Sequence, residues 1–118
     1  MQGEASRLAD RESRDSFAAK LRESGNDAWE IGNELFTITY VFDHNPRIPR
    51  ALTDPGRPTE DKVALLNNLL GKQALPLTME ILTDLVGRSW SRAGDIDNAI
   101  EDFAVDAMMY QADDEKKT

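Results

Sequence analysis

Residues 45–72 read NPRIPRALTDPGRPTEDKVALLNNLLGK, and this stretch decides the fold. It holds a short apolar helix, a stop, a charged restart, a leucine-rich helix and a terminator. Asn45-Pro46 opens the first piece, and Ile48, Ala51 and Leu52 give it one apolar side. Thr53-Asp54-Pro55-Gly56 ends it, because a residue before proline avoids the α region and glycine turns the chain. Thr59 is placed to cap the next helix, with Glu60 and Asp61 at the positive end of its dipole. Val63, Leu66 and Leu70, with Leu65 and Leu69 beside them, give that helix a face to bury, and Gly71 closes it.

The same alternation of periodic and punctuating segments runs outward in both directions. Upstream, residues 3–23 form a weakly amphipathic helix with Ala5, Leu8, Ala9, Ser16 and Ala19 on one side. Ser24-Gly25-Asn26-Asp27 breaks it. Ala28, Ile31, Leu35, Ile38 and Phe42 then recur at helical spacing to about His44, which marks a buried seam. Downstream, a fifth helix starts near Pro76, a favoured first-turn residue, and is expected to reach Trp90. Gly94 and Asp95 punctuate, and a sixth helix carries Ile96, Ile100, Phe103, Ala107 and Tyr110. No apolar alternation persists long enough for a strand. The expectation is an all-α domain, a single six-helix bundle with two short helices over residues 1–112, and a charged tail over 113–118.

Composition narrows the function. The 118 residues carry 14 basic and 22 acidic side chains, a net charge of −8. That disfavours nucleic acid and anionic membrane surfaces, which need clustered Lys and Arg. No run approaches the roughly 18–20 apolar residues of a membrane span. The polar start MQGEASRLADRES is no signal peptide. With no cysteine, disulfides and thiolate metal sites are excluded. The lone histidine, His44, sits at a helix end, where it favours the dipole. Asp95, Asp97, Glu101 and Asp102 lack the alternation and glycine of a calcium loop and read as a solvated face. Gly71-Lys72 lacks the strand and glycines of a phosphate loop. No catalytic, cofactor or metal constellation emerges.

The fifth helix carries the one hint of binding. Leu77, Met79, Ile81, Leu82, Leu85, Val86 and Trp90 cover an arc of roughly 220°, wider than the stripe of an ordinary bundle helix. Either it packs on two sides within its own bundle, or part of it is left for a partner.

The order asparagine-proline, short leucine helix, proline turn, acidic-lysine run, double leucine and glycine-lysine resembles the N-terminal domain of ATP synthase delta subunits, relatives of the oligomycin-sensitivity-conferring protein. Asp27-Ala28-Trp29, LPLTMEILTDLVGR and DIDNAIEDF extend it to about residues 10–112. The chain departs from the family in having Leu75 where serine often precedes the proline of the fifth helix, and an Arg/Ser/Asp-rich first helix. The resemblance implies a non-catalytic stator component, linking the catalytic head to the peripheral stalk and supporting proton-driven ATP synthesis. Its partners would be the N-terminal helix of the α subunit and, through a C-terminal domain beyond this chain, the b subunit. Its place would be peripheral, at the cytoplasmic face of the cell membrane. The implied groove lies between the first and fifth helices, with anchors at Met79, Leu82 and Val86 on the outer part of the fifth and Leu8, Ser13 and Ser16 facing them. A free-standing adaptor for another amphipathic helix is the alternative.

Overall fold

The computed structural model describes residues 3–24 and 27–116, with side-chain surroundings through Tyr110. Six helices follow in order: α1 (Glu4–Glu23), α2 (Ala28–His44), α3 (Arg47–Thr53), α4 (Thr59–Leu70), α5 (Pro76–Val86) and α6 (Ala93–Lys116). No strand occurs among the described residues, so the all-α expectation holds. The break at Gly25-Asn26 and the last two residues lie outside the described residues. Residues 113–116, expected in a tail, continue α6 as helix.

The α2–α6 pair is the spine and makes the most extensive helix contact. The expected seam of α2 is fully internal: Ala28, Ile31, Leu35, Ile38 and Phe42 are all buried. Ile96, Ile100, Phe103 and Ala107 of α6 answer it. The two helices approach closely at Gly32, where an added Cβ would stand 2.8 Å from the Ala104 carbonyl oxygen. α1 closes over α5 and α6. Its Phe17 stacks on Phe103 with ring centroids 4.4 Å apart, a pair worth about 0.5–1.5 kcal/mol beyond its buried area. α3 packs on α6 and α4 on α5, with Leu52 of α3 and Leu66 of α4 buried in the core.

Several local expectations change in the fold. α4 does begin at Thr59, but its N-cap is Pro58 and no side chain caps it. α5 ends at Val86, short of Trp90. The buried Trp90 folds back, and its indole N–H donates to the Leu85 carbonyl at 2.7 Å, serving a terminal carbonyl that a longer helix would have bonded itself. The stop after α3 forms as expected: Asp54 is extended (ψ 115) and its carboxylate accepts from Gly56 N–H at 2.9 Å.

The start of α5 shows how a missing local cap is replaced. Leu75 occupies the N-cap and can offer no side-chain acceptor. Glu34 of α2 supplies it from across the bundle. One carboxylate oxygen accepts the Thr78 hydroxyl at 2.7 Å and Leu75 N–H at 3.1 Å. An acid there also lies at the positive end of the α5 dipole.

Candidate functional site: the seam between α1 and α5

The wide apolar arc of α5 is largely internal. Ile81, Leu82, Leu85 and Val86 are all buried, as is Thr78, because α5 packs on α4 as well as on α1. Leu82 and Val86 are 1% and 2% exposed, so they are core side chains and not outer anchors. Ser13 is buried too, and its hydroxyl donates to Asp10 O at 3.1 Å. Its small size serves packing within the bundle. Ser16 is half-buried and accepts from Lys20 Nζ at 2.7 Å. Of the six expected residues, only Leu8 (54% exposed) and the half-buried Met79 offer apolar surface outward.

The surface above this seam is nonetheless concave at both ends. Ala5, Leu8, Ala9 and Glu12 of α1 face residues 87–89 across a cavity of 270 Å³. Toward the other end, Lys20 faces Met79, Glu80, Thr83 and Asp84 across a shallow, open depression. Arg88 joins the two: it reaches Glu12 of α1 at 3.3 Å and Asp84 of α5 at 2.9 Å. Such partly exposed pairs contribute little stability, about 0–1 kcal/mol, so their consequence is to fix charge along the trough. Glu12 was legible in the sequence as the i+4 neighbour of Leu8 on one helix face. Arg88 was not, because it lies beyond the end of α5 and its partner Glu12 belongs to a helix distant in sequence.

The other polar candidates fall elsewhere. His44 is exposed at the end of α2, its ring tilted against that of Tyr40, with Nδ1 2.9 Å from the Tyr40 carbonyl oxygen. The acidic side of α6 is only partly solvated. Asp102 and Asp106 meet Arg14 of α1 at 2.9 and 3.8 Å. Asp95 is buried, and Asp97 is half-buried beside Asp43. Burial first, then the hydrogen bond and charge of Asp43 and the charge of Glu101, push the Asp97 carboxyl up to about 7. Trp29 is half exposed on α2. Among the described residues no helix is long and apolar enough to cross a membrane.

No family model matches the chain. Curated relatives do. Over 113 residues, 96% of this chain, it is 69% identical to a protein named ATP synthase subunit delta from Bifidobacterium adolescentis and equally so to one of that name from Bifidobacterium longum. A third of that name, from Frankia casuarinae, is 33% identical over 87 residues, 74% of this chain. The chain spans 41% of the length of the Bifidobacterium relatives and 32% of the Frankia one.

Proposed function

We propose, from the premise that this chain belongs to the ATP synthase subunit delta family, that it is the head-binding domain of the stator. In this reading it corresponds to the N-terminal domain of the subunit and acts mechanically. It holds the N-terminal helix of an α subunit and, through the remainder of the protein, connects the catalytic head to the b subunit of the peripheral stalk. Torque from the rotor then drives synthesis and does not turn the head. Its place is peripheral, at the cytoplasmic face of the cell membrane.

The observation that carries this reading is the α1–α5 trough. Leu8 and Met79 stand at its two ends as exposed or half-exposed apolar groups on an otherwise internal seam. Between them runs the fixed charge pattern Glu12, Arg88, Asp84. An amphipathic helix lays apolar anchors into such a trough at one-turn spacing and sets its polar flank against the charged rim. Leu82 and Val86 support it from the core and are not themselves contacts. Calorimetric titration with a synthetic peptide from the α-subunit N terminus tests the reading. Binding that is weakened by Leu8→Asp at unchanged helicity supports it; absence of binding contradicts it.

A further inference from the structure

On the far side of residues 87–89 from the trough lies a more polar cavity of 220 Å³, formed where the α3–α4 connection, the first turns of α4 and the α5–α6 connection meet. Arg57, Lys62 and Arg88 line it together with Thr53, Thr59 and Ser89, and no acidic residue does. In a chain with 22 acidic and 14 basic residues that is a marked local reversal.

Lys62 makes the reversal consequential. It is 7% exposed, and among the described residues no ion pair joins it, or Arg57, to a carboxylate. Its aliphatic stem is packed into the cavity wall, which holds the ammonium at the cavity with no carboxylate to neutralise it. Arg88 is already engaged by Asp84 and Glu12 on its other side. The cavity therefore presents two cations lacking counter-charge. The 12-residue α4 starts at the same place, its N-cap Pro58 supplying no side-chain hydrogen bond, so the positive end of its dipole adds to the field. Glu60 and Asp61 share that first turn, but both are exposed and neither lines the cavity.

We propose that this cavity is an anion site that takes a phosphate group, held by Lys62 and Arg57 with the hydroxyls of Thr59 and Ser89. Donors arrive from three separate segments and surround the space, which suits a tetrahedral oxyanion better than a planar carboxylate. Free inorganic phosphate and the terminal phosphate of a nucleotide share this chemistry.

Trp90 also lines the cavity and provides the readout. In a Trp29→Phe background it is the chain's single tryptophan, so its emission can be followed during titration at constant ionic strength with chloride as the balancing ion. Inorganic phosphate should give a saturable change and raise the melting temperature. Lys62→Gln, which keeps the buried stem, should bind at least about tenfold more weakly and melt independently of phosphate. Arg57→Gln changes an exposed residue and should also weaken binding, so it decides the matter should Lys62→Gln fail to fold. A parallel titration with ATP separates the sources: tighter binding than phosphate indicates a nucleotide, and weaker binding indicates the free ion. A response to neither, or one undiminished in the variants, would overturn the assignment.

Discussion

Glu34 and Thr78, 44 residues apart, meet at 2.7 Å between a carboxylate oxygen and a hydroxyl. The same carboxylate accepts from Leu75 N–H, so one acid of α2 organises the first turn of α5. α5 forms one wall of the proposed binding trough, and its position therefore depends on a contact made on the opposite side of the helix. Glu34→Ala should leave the buried Thr78 hydroxyl and the Leu75 N–H without this acceptor. A loss of about 1.5–3 kcal/mol is expected for hydrogen bonds to a charged group, measured by urea unfolding. Glu34→Gln should recover part of it.

Gly32 is needed for the approach of α2 to α6. A Cβ there would meet the Ala104 carbonyl oxygen at 2.8 Å, and backbone cannot step aside as a flexible side chain can. Gly32→Ala should cost about 1–3 kcal/mol by overpacking, despite alanine's better helix propensity, and lower the midpoint in the same unfolding assay.

Asp97 gives the domain a pH dependence of definite sign. Its folded carboxyl titrates near 7 against an ordinary 3.8, so between those values the folded state holds a proton that the unfolded chain has lost. Stability from this group is fully present below about 3.8, declines as pH rises through that window, and is flat above it. Asp97→Asn should flatten the dependence and stabilise the domain at pH 8 relative to the unsubstituted chain. Melting curves at pH 5 and pH 8 would show it.

Leu82→Asp should unfold the domain, because the side chain is 1% exposed and a carboxylate there has no partner; a cost above about 4 kcal/mol is expected. Leu8→Asp, at a site 54% exposed, should leave the circular dichroism spectrum unchanged. Comparing the two spectra separates core from surface along the seam.

These cases show what was legible in the sequence. Helix order and the α2 core face were, because a periodic apolar pattern such as Ala28-Ile31-Leu35-Ile38-Phe42 records burial directly. Which part of α5 faced outward was not: Leu82 and Val86 carry the same apolar signal whether α1, α4 or a guest covers them. Arg88 and Glu34 were invisible as site and cap because each acts on a segment distant in sequence. Asp95 and Asp97 read as solvated, since charge predicts exposure until a neighbouring helix end covers it.

The central claim is that an α-subunit N-terminal helix lies along the α1–α5 trough, and backbone amide shift mapping on adding that peptide tests it most directly. The largest perturbations are expected over residues 5–20 of α1 and 79–89 across the trough, saturating together. Perturbations confined to the exposed side of α2 or to α6, or none at all, would contradict it.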